Sequence, residues 1–174
     1  MNVKNIRISV DAGHTHTGSD AGATGIGNEY NMNVQVKELV MKKLRALGAI
    51  VVDCSIANCS TMIESLKHRA DTSNAFKAQI HICIHHNAFN CKAHGAEVEY
   101  LSEKGKKLAL AIQSEFVKLK YTNRGVQKRD NLYILKHTNA VCVLTECGFV
   151  DNAGDMKLYN AEHEAQAIVN GILK

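Results

Sequence analysis

The chain has no proline and no tryptophan, and aromatic residues make up only 5% of it. Without proline there is no proline-rich linker to divide the chain. With so few aromatics there is no obvious platform on which nucleobases could stack. Long apolar runs are also missing: nothing approaches the ~20 consecutive apolar residues of a membrane-spanning helix. The N-terminus, MNVKNIRISVDAGH, has only a short apolar-leaning run before Asp11, too short for the apolar region of a secretory signal. Charge of one sign is scarce as well. Lys and Arg number 21 against 17 Asp and Glu, a net +4, and the basic residues are scattered. That balance attracts an anionic polymer only weakly and argues against a nucleic-acid binder.

The six cysteines, Cys54, Cys59, Cys83, Cys91, Cys142 and Cys147, contain no CxxC pair, so a zinc knuckle built on cysteine is not expected. They would suffice for three disulfides. With no export signal in view, reduced thiols in a cytosolic setting are the expectation instead.

A length of 174 residues suits one domain, 1–174, with a sizeable core. Hydrophobic residues at 45% and charged residues at 22% place the chain among soluble globular proteins. Strand-like and helix-like segments alternate along it. Residues 5–10 form a β-rich run, followed by a glycine-rich loop over 13–27. Helical spacing of Val36, Leu39, Val40, Leu44 and Leu47 then predicts a helix over 29–47, with Gly48 as its C-terminal stop. A buried strand is expected at 50–52. Thr61 with Glu64 reads as a capping box opening a helix towards Asn74. Strands follow at 80–85 and, by alternation of Ala96, Val98 and Tyr100 with Glu97 and Glu99, a half-exposed one at 95–101. A long helix carries Leu108, Ile112, Phe116 and Leu119; short strands are expected at 132–135 and 141–145, and a last helix carries Ala165, Ile168, Val169 and Ile172. The pattern predicts an α/β fold with one sheet covered by helices on both faces.

In such folds ligands bind beyond the carboxyl ends of strands. His14 follows the first strand, His85 ends a central one, Glu29 opens the first helix and Glu146 ends the run VCVLTE. Two imidazoles and one carboxylate form the ligand set of a catalytic zinc site, which keeps a further position open for water. Zinc suits that set better than magnesium or calcium, which prefer oxygen shells. Glu146 could act as the general base beside it. Each residue also has a plainer role: His14 in a loop, Glu29 favouring a helix N-terminus, His85 as a hydrogen-bonded strand end. A carboxylate directly after an apolar strand, as at Glu146, is costly unless exposed, paired or protonated.

Six segments in order, VDAGH, NEYNMN, ICIHHNA, GAEVEYL, NRGV and LTECGFVDN, resemble the zinc-dependent N-acetylmuramoyl-L-alanine amidases of phage endolysins and bacterial autolysins. The resemblance covers nearly the whole chain. It implies that His14, Glu29 and His85 bind Zn2+ and that Glu146 is catalytic. It implies a single mixed, twisted sheet of about six strands flanked by helices, and bacterial peptidoglycan as substrate, cut between the muramic acid lactyl group and L-alanine.

The sequence departs from the family at Thr15 and His16, where two glycines are usual, at Cys83 for a serine, and at His86 for a small residue. His16, His86 and His94 are candidate substrate contacts or alternative ligands, with surface or structural roles favoured. Because neighbouring strand residues face opposite ways, His85 and His86 should not reach the same metal. Asn87, Arg124 and Asn131 are candidate contacts to glycan or stem peptide, and Lys128 to Asp130 read as a solvated loop. The expected setting is a monomeric phage lysin domain, made in the cytoplasm and reaching the wall after release, with no membrane or nucleic-acid partner. Two alternatives stand beside it: a non-catalytic peptidoglycan-binding module, and a wall amidase using Cys83, Cys91 or Cys147 with one of the nine histidines.

Overall fold

A computed structural model describes residues 1–174. In chain order the elements are β1 (Arg7–Ala12), β2 (Thr17–Gly18), α1 (Glu29–Ala46), β3 (Ile50–Asp53), β4 (Asn58–Cys59), α2 (Met62–Ala75), β5 (Ile80–Asn87), β6 (Ala96–Tyr100), α3 (Glu103–Lys118), β7 (Asn123–Lys128), α4 (Tyr133–His137), β8 (Val141–Phe149), α5 (Ala153–Leu158) and α6 (Ala161–Leu173). Six strands form one sheet in the order β3-β1-β5-β8-β6-β7. β3, β1, β5 and β8 run parallel, β6 runs antiparallel to β8, and β7 follows β6, so the sheet is mixed as expected. β2 and β4 pair separately.

Alternation along β5 organises both sides. Ile80, Ile82 and Ile84 enter the larger core with Ile8, Val10 and Val143, beneath Val36 and Leu44 of α1, Ile112 and Phe116 of α3 and Ile168 and Ile172 of α6. Each such side chain, taken fully out of water, stabilises the fold by about 1.5–3 kcal/mol. Cys83 and Leu144 face the other way, beneath Ala70 of α2 and Ile134 and Leu135 of α4. Helices therefore cover both faces, as an α/β sheet of this kind requires.

The signals at Gly48 and at Thr61 with Glu64 act as expected, and Asn28 adds a cap that the sequence pattern had not marked. Asn28 caps α1 by accepting from the Asn31 N–H, and Gly48 takes the left-handed conformation (φ 84°) just beyond its end. Thr61 accepts from the Glu64 N–H, while the Glu64 carboxylate reaches back to the Ser60 N–H at 2.8 Å, one residue earlier than in a strict capping box.

Three expectations are corrected. Residues 132–135 are not a strand: Tyr133–His137 form α4. Four apolar residues in a row do not distinguish a buried strand from a short helix. The sixth strand is β7, an edge strand with exposed or half-buried residues and no apolar alternation to announce it. Finally, β6 is buried throughout rather than half-exposed, because its second face looks into the site described next.

Candidate active site

The carboxyl ends of β1 and β5 and the first turn of α1 bring His14, Glu29 and His85 together. One oxygen, Glu29 Oε1, lies 3.1 Å from His14 Nε2 and 2.9 Å from His85 Nδ1. The donor atoms of the three all lie within 4.8 Å of one another. The other oxygen, Oε2, accepts the Ala23 N–H at 2.8 Å, which fixes the direction of the carboxylate. Gly13 is required next to His14: a Cβ there would lie 2.1 Å from the His85 ring.

A buried polar chain holds His14 from behind. Its Nδ1 meets Asp20 Oδ1 at 3.0 Å, and Asp20 is bound in turn by Arg69 at 2.6 Å. Arg69 also reaches Asp11 at 3.4 Å; Asp11 faces His81 Nε2 at 2.8 Å, and His81 Nδ1 meets Ser9 Oγ at 2.7 Å. The contact from Asp20 leaves His14 Nε2 as the nitrogen presented to Glu29, the arrangement by which carboxylates orient metal-binding histidines. Burial disfavours a charged imidazole, but the hydrogen bonds to Asp20 and Glu29 outweigh it and raise His14 to about 10. Glu29 moves the other way: burial would raise it, yet bonds to both histidines hold it well below the usual carboxylate range.

Glu146 lies on β8 in register with His85 on β5. Its Oε2 is buried without a hydrogen-bond partner. Burial first, and then the like charges of Glu29, Glu99 and Glu97, push its carboxyl well above the ordinary value. Glu97 and Glu99 were expected on a solvent face but share the face of Glu146. Arg124 holds Glu97 at 3.3 Å while lying over the Phe149 ring, and Arg129 holds Glu99 at 3.0 Å. A cleft of about 320 Å3 opens between His14, His85, Met62, Leu66 and Asn131. A larger apolar groove of about 500 Å3, between Ile6, Leu108 and Ile172, lies at the amino ends of the strands and has no acid or histidine in its lining.

The remaining candidates separate. Asn131 lines the cleft, and Arg124 reaches the site face through Glu97. Asn87 uses its side-chain oxygen on the adjacent Ala88 N–H. His16 is exposed and lies 5.4 Å from the Tyr30 ring; His94 is exposed and bonds the Lys92 carbonyl. His86 is buried on the far face of the sheet, away from His85. Burial pushes the Cys83 and Cys147 thiols well above their ordinary value, and neighbouring carboxylates add to it, Asp11 for Cys83 and Glu164 for Cys147. Neither is the low-pKa thiol a cysteine nucleophile needs. Asp20, Arg69, Glu97 and Glu99 had not been singled out in the sequence; only the polar half of the β6 alternation hinted at the last two.

A divalent metal fits this donor set. Two imidazole nitrogens converge on a carboxylate oxygen, with all donor atoms within 4.8 Å of one another, and His14 already has its orienting carboxylate. Zinc is the natural ion for such a mixture.

Residues 8–174 match the N-acetylmuramoyl-L-alanine amidase family. The chain is 35% identical to the Bacillus subtilis protein YqiI over 95% of its own length and 82% of that protein. It is 32% identical to the N-acetylmuramoyl-L-alanine amidase LytC of B. subtilis, covering 94% of this chain but only 34% of LytC. Among solved structures it resembles the catalytic domain of the CD27L endolysin targeting Clostridia difficile (TM-score 0.89, 28% identity, 97% of both chains). It also resembles the catalytic domain of the amidase CwlV from Bacillus (Paenibacillus) polymyxa (TM-score 0.84, 26% identity, 96% of both chains). On its match over residues 8–174, this chain belongs to the N-acetylmuramoyl-L-alanine amidase family.

Proposed function

We propose that residues 1–174 form a zinc-dependent amidase domain that cleaves peptidoglycan between the lactyl group of N-acetylmuramic acid and L-alanine. The observation that carries this reading is the convergence of His14, Glu29 and His85 beside a sealed, unpartnered oxygen of Glu146. Family membership supports it, as does the likeness to proteins described as N-acetylmuramoyl-L-alanine amidases.

In this reading His14, Glu29 and His85 hold the ion, which supplies Lewis acidity towards the amide carbonyl and towards water. Asp20 keeps His14 in the tautomer and direction that the ion needs. Glu146 takes a proton from the attacking water as its oxygen adds to the carbonyl carbon. The C–N bond then breaks, and Glu146 passes the proton to the leaving amine of L-alanine. A carboxyl whose affinity for protons is raised by burial and by neighbouring acids suits both halves of that transfer. The cleft between Met62 and Asn131 receives the substrate, with Asn131 as a polar contact.

We place the domain in a phage endolysin acting on the wall after release from the cell, as a monomer. The fold shared with the CD27L catalytic domain supports that setting. No helix is long and apolar enough to cross a membrane.

The test is digestion of purified peptidoglycan by as-isolated, chelated and zinc-restored protein, with mass spectrometry of the soluble products. Peptides beginning in L-alanine, lost on chelation and regained with zinc, are expected. Their absence from every wall type digested by metal-replete protein would reject the reading.

A further inference from the structure

On the sheet face away from the cleft, Asn33, His86, Tyr121 and Glu164 make a closed polar chain in which no member is more than 3% exposed. The Asn33 amide nitrogen donates to the Gly13 carbonyl at 3.2 Å, so its oxygen is the atom facing His86 Nδ1 at 2.7 Å. His86 Nδ1 therefore donates that bond. His86 Nε2 meets Glu164 Oε2 at 3.0 Å, and the Tyr121 hydroxyl donates to the other oxygen of Glu164 at 2.5 Å. Cys147 lies beside His86 and Glu164, its thiol directed to Thr145 Oγ1 at 3.5 Å.

The chain touches the neighbour of every proposed zinc ligand. Gly13 precedes His14, and its bare Cα allows the His85 ring to approach. Asn33 is one helical turn beyond Glu29 on α1. His86 follows His85, and its backbone N–H points at Glu29 Oε1 at 3.4 Å. We infer that the His86–Glu164 pair is a positioning device for the zinc site, clamping β5, the β1 exit and α1 to α6 from behind so that His14, Glu29 and His85 keep their mutual geometry. The inference rests on the zinc reading above.

Directionality is the physical reason. Apolar side chains of similar volume often replace a buried polar pair with no loss of stability. They fill space without fixing an angle, whereas hydrogen bonds at both ring nitrogens set the orientation of His86 and thereby of the strand beside His85.

The test compares wild type with Glu164→Leu, Glu164→Gln and the double variant His86→Leu/Glu164→Leu. Zinc affinity is read by chelator competition, zinc equivalents by elemental analysis, and fold by circular dichroism and thermal melting. Glutamine can accept from Tyr121 and donate to His86 Nε2, so Glu164→Gln should bind zinc like wild type. Glu164→Leu should fold and bind zinc about 10–100-fold more weakly, the usual cost of losing an orienting shell. If that single variant does not fold, the double variant, apolar on both sides, carries the same expectation.

Unchanged zinc affinity in the folded leucine variants would overturn the inference and leave the zinc reading intact. Equal weakening by glutamine and leucine would also overturn it, because the glutamine keeps the bonds. Wild-type protein that binds no zinc would remove the zinc reading and this inference together. Two zinc equivalents per wild-type chain, with one lost in the leucine variants, would instead make His86, Cys147 and Glu164 a second metal site.

Discussion

Glu97 and Glu146 stand directly opposite each other across the antiparallel pair of β6 and β8. Side chains so placed have Cβ atoms about 4.5–5.5 Å apart, and like charges there repel. Glu97 is held by Arg124, whereas Oε2 of Glu146 has no partner. The two carboxyls are thereby set apart: one is tied into an ion pair, and the other keeps an unpartnered oxygen and a raised affinity for protons.

Replacing Glu146 by Gln should abolish turnover while leaving zinc content near normal, because Glu146 is not among the converging donors. Its carboxyl is raised above 4.5 in the folded chain, so above that pH ionisation is easier in the unfolded state and stability is lost. The metal-free Gln variant should therefore melt higher than metal-free wild type at pH 7. Product analysis, metal analysis and melting check the three parts; substantial residual hydrolysis would reject the assignment of the base.

His85→Ala should lower zinc occupancy as well as activity. His86 cannot take over, since it is buried on the opposite face and bonded to Asn33 and Glu164. Stoichiometric zinc in the purified variant would move the third ligand elsewhere.

Metal-free protein and zinc affinity should respond to pH in opposite senses. His14 is raised from 6.5 to about 10, so the stability it contributes is full below pH 6.5 and is lost as pH rises towards 10. Zinc needs the deprotonated imidazole, so its apparent affinity should rise over the same window. Melting of the metal-free protein and chelator competition across the window from pH 6.5 to about 10 check both slopes.

Gly13→Ala should displace the His85 ring, because the added Cβ would come within 2.1 Å of it. Overpacking of this kind costs about 1–3 kcal/mol, and about 2–4 °C of Tm goes with each kcal/mol in a domain this size. Zinc affinity should fall with it. A variant melting and binding zinc like wild type would show that the ring has room to move.

Local patterns were legible where one side chain or one period carries the signal. Thr61 and Gly48 mark helix ends by chemistry acting over three or four residues, and the α1, α3 and α6 stripes follow helical spacing. The signal failed where context assigns the state. Leu132 to Leu135 is apolar enough for a strand, but α4 uses it to cover Cys83 and Leu144. β7 lies at the sheet edge and needs no apolar alternation. Glu97 and Glu99 looked like a solvent face because carboxylates usually are; Arg124 and Arg129, brought in from β7 and the turn after it, make burial tolerable.

The sequence by itself determined an alternating α/β chain and placed His14, Glu29, His85 and Glu146 at or near element ends, because periodicity and capping are local physics. Tertiary structure decided which groups meet. Asp20 and Arg69 are 49 positions apart, and Asn33, His86 and Glu164 come from three different elements. It also decided charge, since burial and neighbouring acids move Glu146 up while two imidazoles move Glu29 down. Desolvation and through-space electrostatics depend on distance in the folded chain, which separation along the sequence does not encode.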